Sequence, residues 1–167
     1  MNKMRFSGHE SFPLRAFWPL KGYEFLADKK DFNQPESIVD LGVGKNMVSA
    51  IRFWLKSLGL TNEEENLNQI ADYLFGNNGK DPFLEDIGTI WLLHYSLIKT
   101  KHASLYNLFF NEFSRDRVIF TKENLEQFIK YKFHKSNDNG YNAKTISDDI
   151  SVLLRNYVRP TLRERKS

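Results

Sequence analysis

The run Ser37-Ile38-Val39-Asp40-Leu41-Gly42-Val43-Gly44-Lys45-Asn46-Met47-Val48-Ser49-Ala50-Ile51 decides how this chain folds, because it sets a glycine between two helical patterns with an apolar residue directly after it. Pro35 to Leu41 reads as a short helix, Gly42-Val43-Gly44 as a turn, and Lys45 to Leu58 as a longer helix ended by Gly59. Lacking a Cβ, Gly42 can take the positive φ that such a bend needs. Val43 plugs the angle between the helices, and Val48 and Ile51 bury the second helix against the first. These are the parts of a helix-turn-helix unit running from about Pro35 to Leu60.

The opposite face of the second helix suggests a ligand. Lys45, Ser49, Arg52 and Lys56 follow 4-3-4 spacing, opposite Val48, Ile51, Leu55 and Leu58. With Asn46 beside Lys45, the helix start offers amide and ammonium donors to base edges, while Arg52 and Lys56 are placed to reach phosphates. An ordinary amphipathic hairpin with a solvated basic face is the plain alternative. Turn, apolar plug and polar face agree with one another, so DNA is the expected partner.

Composition allows this without demanding it. The chain has 167 residues, 41% hydrophobic, enough for one core or two small ones. Its 24 Lys and Arg against 21 Asp and Glu give a net charge of +3. The most basic stretch is the C-terminus, with Arg155, Arg159, Arg163, Arg165 and Lys166 against Glu164, either a nucleic-acid tail or a solvated one. The chain has no cysteine, which excludes disulfides, thiolate metal sites and zinc fingers. Neither a signal-peptide h-region nor a run of about 20 apolar residues occurs, so the reading is a cytoplasmic protein without a membrane span.

Outward from the central run, Arg5 to Phe25 is aromatic and interrupted by Pro13 and Pro19, an irregular packed arm. Glu63 to Phe75 reads as a helix behind an acidic first turn, with a strand as the alternative. Asn77-Asn78-Gly79 is the best internal boundary, which divides the chain into 1–79, the arm with its helix-turn-helix, and 80–167, a helical domain with a basic tail. The second part should open with Asp81 as N-cap and Pro82 at the first helical position, leading into Phe83 to Ile98. That helix is apolar on nearly every side, as a central core helix would be. Helices at Ser104 to Phe113, from Thr121 onward and at Lys144 to Tyr157 follow, with a polar loop at Lys135 to Gly140. Thr121 to Tyr157 repeats the helix-turn-helix layout less cleanly, offering Lys144 and Arg155 to DNA, although Asp148 and Asp149 oppose phosphate. The expected fold class is mainly α, with tandem helix-turn-helix or winged-helix-like units.

Two constellations carry possible chemistry. His9, Glu10 and Arg15 could act as general base, carboxylate and phosphate clamp, or simply hydrogen-bond across a packed arm. Asp81, Glu85 and Asp86 are oxygen ligands of the kind that hold Mg²⁺ in phosphodiester-cleaving enzymes, or a helix cap with its acidic first turn. His94, on the face of Ile87, Trp91 and Ile98, reads as a core histidine.

The words FSGHESFPLR, LGVGKNMVSAIRFWL, DPFLEDIGTIWLLHY and TISDDISVLLRNYV, in that order, resemble the domain-of-unknown-function family 4007 from about Phe6 to Val158. Members of that family occur in prokaryotic DNA phosphorothioation and phage-defence gene sets, and include a nicking component of the single-stranded system. The resemblance therefore implies DNA as substrate and Mg²⁺-assisted nicking, with a cysteine desulfurase, an ATP-using sulfurtransferase and an ATPase as partners. It strengthens both constellations without assigning roles to their residues. Members usually continue well beyond Val158, so this chain is expected to match the N-terminal part. The alternative is a non-catalytic binding or regulatory module that recruits the partner enzymes. A homodimer would suit paired half-sites, yet no heptad or exposed apolar stripe in the sequence demands one.

Overall fold

Helix formation begins earlier than the arm reading expects. In the computed structural model, which describes residues 4–136 and 138–158, α1 runs from Trp18 to Ala27, with Pro19 in its first turn. Proline's fixed φ suits a helix start, so Pro19 opens a helix where the sequence suggested a break. The central run folds as read: α2 is Ser37–Leu41, α3 is Lys45–Ser57, and Gly42 caps α2 in the left-handed region at φ 59°. α1 packs across α3, α2 and α4 (Gln69–Phe75).

The predicted helix from Glu63 begins only at Gln69. Glu65 is left-handed at φ 68°, the Asn62 carboxamide accepts from the Asn66 amide, and Thr61 bridges to Leu67. Asn68 then caps α4 by accepting from the amides of Ile70 and Ala71. The next helix is late for a similar reason. The Asp81 carboxylate accepts from the amides of Glu85 and Asp86 and closes a turn in which Leu84 has φ 56°. Helix α5 therefore spans Ile87–Thr100 with Asp86 as its cap, not Asp81.

α6 (Ser104–Leu108) continues through a π-helical turn at Phe109–Phe113 into the short α7 (Ser114–Asp116). α8 (Lys122–Ser136) starts from a reciprocal cap: the Asn124 amide donates to Thr121 Oγ1 and the Thr121 amide to Asn124 Oδ1. α9 (Ala143–Tyr157) packs on α8 and α6 and buries Ile146, Ile150 and Leu153, the face its spacing predicts. Among the described residues there is no β-strand beyond the single bridge at Thr61, so no wing accompanies the helix pairs. The fold is mainly α, and among the described residues no strands form a wing.

One buried cluster runs across the Asn77–Gly79 boundary, from Trp18 and Trp54 through Tyr106 to Leu153. α3 lies at its centre: besides Val48, Ile51 and Leu55 it buries Ala50, Phe53, Trp54 and Ser57. Each large side chain so buried contributes about 1.5–3 kcal/mol. Two of the aromatic tips inside are satisfied, Trp54 Nε1 donating to the Phe12 carbonyl at 3.2 Å and the Tyr106 hydroxyl accepting from Asn156 Nδ2 at 2.7 Å. α5 is not the enclosed core helix its composition suggests. Leu93, Ser96 and Leu97 face inward, while most of its first two turns stand in solvent. No helix among the described residues is long and apolar enough to cross a membrane.

Candidate functional site

The N-terminal motif folds into a tight coil in which Ser7, Glu10 and Ser11 all have positive φ, at 62°, 48° and 61°. Each such residue costs on the order of 1 kcal/mol, so its surroundings must hold the coil in place. They do so through His9. Its ring is buried, stacked on Trp54 at 6.0 Å and edge-on to Phe53, and its Nδ1 accepts from the Ser11 amide. Gly8 has to be a glycine because a Cβ there would lie 2.3 Å from Phe53.

The coil is tied to α9 as well. Both carboxylate oxygens of the buried Asp149 accept from the Ser7 amide at 3.0 and 3.1 Å, and Oδ1 lies 3.3 Å from His9 Nε2. That contact lacks hydrogen-bond geometry, so Nε2 is a buried atom without a hydrogen-bond partner among the described residues. Further along, Leu14 donates its amide to Asn156 Oδ1, and Arg155 Nη2 reaches the Ser11 carbonyl at 2.8 Å. Of the three candidate catalytic residues, His9 is enclosed, whereas Glu10 and Arg15 are exposed. Arg15 lies over Trp18, its guanidinium carbon 5.1 Å from the ring centroid. Nothing brings the three into one constellation.

On α3 the predicted DNA face divides in two. Lys45, Asn46 and Ser49 are exposed, and neither Gly42 nor Gly44 has a neighbour within 4 Å of where a Cβ would stand. No side chain caps the first amides of α3, because Gly44 is its N-cap. Arg52 and Lys56 are engaged within the protein. Arg52 Nε donates to Glu65 Oε1 and its Nη1 to Asn33 Oδ1, while Lys56 Nζ lies 3.1 Å from the same Glu65 oxygen and donates to the Glu63 carbonyl. The left-handed loop at Glu65 thus captures two of the cations assigned to phosphate. On α9 Lys144 is exposed, and Arg155, though exposed, is already bonded to the coil. The tail residues Arg159, Arg163, Arg165 and Lys166 lie outside the described residues.

The proposed magnesium ligands do not converge. Burial favours the protonated Asp81 carboxyl, but hydrogen bonds from the Glu85 amide, the Thr89 side chain and the Asp86 amide outweigh it and hold the pKa below the usual carboxylate value. Asp86 is turned to the amides of Gly88 and Thr89, and Glu85 points to solvent. Among the described residues no three His, Asp or Glu side chains are grouped so as to hold a metal ion. Asp81, Glu85 and Asp86 therefore do not fit a Mg²⁺ site in this conformation.

A cleft of about 1010 Å³, which the sequence did not suggest, opens between the start of the chain, the α5–α6 junction and the end of α8. Arg5, Lys101, His102, Lys132 and Lys135 line it, opposed by Glu63, Glu112 and Asp138. Arg5 Nη1 lies 2.6 Å from His102 Nδ1. Burial and the Arg5 charge depress the His102 pKa, with Glu63 acting the other way. The only sequence cue to this cluster is a histidine directly after the basic end of α5.

The sequence matches the family described as Protein of unknown function (DUF4007) over residues 6–166. The chain belongs to this family. No curated protein matches it. Among solved structures it is similar to a magnesium ion-bound SspB crystal structure at 28% identity, with a TM-score of 0.78 over 95% of this chain and 51% of that one. A second SspB crystal structure matches at 28% identity and a TM-score of 0.72, over 90% of this chain and 48% of that one. This family member thus spans about half the length of the SspB chains it resembles.

Proposed function

We propose that this chain is the DNA-positioning part of an SspB-like protein in a bacterial DNA phosphorothioation system that serves phage defence. The observation that carries the reading is the likeness to magnesium-bound SspB along nearly the whole chain. The phosphorothioation setting, and the cysteine desulfurase, sulfurtransferase and ATPase partners, follow from the family resemblance. The start of α3 supports a backbone contact: Lys45 and Asn46 are exposed, the first amides lack a side-chain cap, and two glycines leave room for close approach. An anion at such a helix end meets amide donors and the positive end of the dipole.

Nicking assisted by Mg²⁺ is the chemistry the resemblance implies, with the ion neutralising charge on the cleaved phosphodiester. Because Asp81, Glu85 and Asp86 do not fit that ion, we assign this chain binding and orientation rather than cleavage. Glu10 and Arg15 remain the accessible residues of the N-terminal coil, and His9 acts by holding that coil's shape.

The test is affinity for labelled single-stranded and duplex DNA as a function of salt, with supercoiled plasmid incubated in Mg²⁺ or EDTA alongside. Log K should fall with log salt, and Lys45→Ala should reduce that slope by about one phosphate contact. Plasmid should be retarded without conversion to open circles. Unchanged binding by a folded variant carrying both Lys45→Ala and Asn46→Ala would remove the α3 docking model. Mg²⁺-dependent nicking lost in Asp81→Ala would show a metal centre in these residues and overturn the positioning role.

A further inference from the structure

The first half of α5 presents an apolar face on which none of the described residues packs closely. Ile87, Trp91 and Tyr95, four residues apart, are 70%, 64% and 58% exposed, and Phe83, Ile90 and Leu92 beside them are 55%, 43% and 37% exposed. Scattered exposed hydrophobics are ordinary, but a contiguous set of this size marks a contact surface. Side chains of this kind show on the order of 100 Å² each at such exposures, about 600 Å² in all. That approaches the ~800 Å² per partner of a standard stable interface.

Charge around the face identifies the occupant. From Ile87 to Ile98 there is no Asp, Glu, Lys or Arg, whereas Glu85 and Asp86 stand before the helix and Lys99 and Lys101 at its end. All four are exposed. A surface acidic at one end and basic at the other complements itself under a twofold rotation.

We propose that this face is the interface between two copies of this chain, with their α5 helices antiparallel and the twofold axis passing near Trp91 and Leu92. In that arrangement Lys99 and Lys101 of each copy meet Glu85 and Asp86 of the other. The Trp91 rings lie at the centre, where buried aromatic residues contribute most to binding, and the opposed helix dipoles favour the same pairing. The proposal does not depend on DNA binding.

Light scattering or sedimentation of the full chain at about 50 µM tests it, a concentration well above the Kd of a stable dimer. The expected mass is twice 19.7 kDa. Trp91→Asp, on an exposed residue, should give a folded monomer by circular dichroism. Lys99→Glu should weaken the dimer on the order of tenfold, and adding Glu85→Lys should restore it. The chain has no cysteine, so Leu92→Cys should give a disulfide-linked dimer under mild oxidation, while Ser49→Cys should not. A monomeric wild-type chain, a dimer indifferent to Trp91→Asp, or a Lys99→Glu defect that Glu85→Lys fails to repair would each overturn the twofold interface.

Discussion

His9 Nε2 lies 3.3 Å from Asp149 Oδ1 without bonding to it, and the carboxylate instead ties the N-terminal coil to the last described helix through the Ser7 amide. The same carboxylate takes the Ser7 amide on both oxygens, so one side chain holds a coil with three left-handed residues. Asp149→Ala leaves that amide unpaired and uncovers the histidine. It should cost about 1–3 kcal/mol in urea unfolding, while Asp148→Ala, at an exposed position, should stay within about 0.5 kcal/mol. Equal effects would mean that the coil does not depend on Asp149.

Gly8 is a packing requirement. A methyl group there meets two atoms of the Phe53 ring at 2.3 and 2.6 Å. Gly8→Ala should therefore destabilise by about 1–3 kcal/mol. Phe53→Leu, which removes the opposing ring atoms, should recover part of that loss in the double variant. A double variant whose loss is the simple sum of the two would place the strain elsewhere.

The salt links of α3 make Arg52 and Lys56 stability residues. Both point at Glu65 Oε1, so Glu65→Gln should lower the unfolding midpoint. Because it also frees two cations beside the exposed start of α3, it should raise DNA affinity and steepen its salt dependence. Binding curves measured side by side at several salt concentrations would decide this. No change in slope would mean that DNA does not approach this face.

Acid should weaken the fold through two histidines. Burial depresses the pKa of His94, and burial together with Arg5 depresses that of His102. As pH falls, the unfolded chain takes up these protons before the folded one does. Their contribution is complete above the ordinary histidine value of about 6.5 and declines below it. Urea midpoints should drop between about pH 7.5 and pH 5.5, and the drop should shrink in a variant carrying both His94→Gln and His102→Gln. A profile unchanged by the substitutions would assign the loss to carboxylates.

Much of the local structure was legible. The bend at Gly42, the span of α3, the cap at Thr121 and the inward face of α9 all follow from signals a few residues long. The errors at α4 and α5 are of one kind, and that at α1 is of another. At Asn62 and Asp81 a side chain bonds to backbone four or five residues away and makes a turn where apolar spacing alone reads as helix. Pro19 reads as a break because a proline at a helix start and one between segments look alike in sequence. Of the candidate site, Lys45, Asn46 and Ser49 kept the exposure their spacing predicted. Arg52 and Lys56 did not, since Glu65 comes from a loop outside the helix whose periodicity placed them.

By itself the sequence determined most of the helices beyond α1, where α2 turns into α3, and the family to which the chain belongs, because helix periodicity, left-handed turns and ordered motifs are written in near neighbours. Only the tertiary structure decided which polar residues are spent on the protein itself and which apolar residues remain uncovered. His9 and Glu10 are adjacent, yet Asp149 and Trp54 enclose one and leave the other in water. Trp91 and Leu93 sit on one helix of uniform hydrophobicity, yet only Leu93 meets the body. Burial depends on what the rest of the chain brings alongside, and that is not encoded within any single helix.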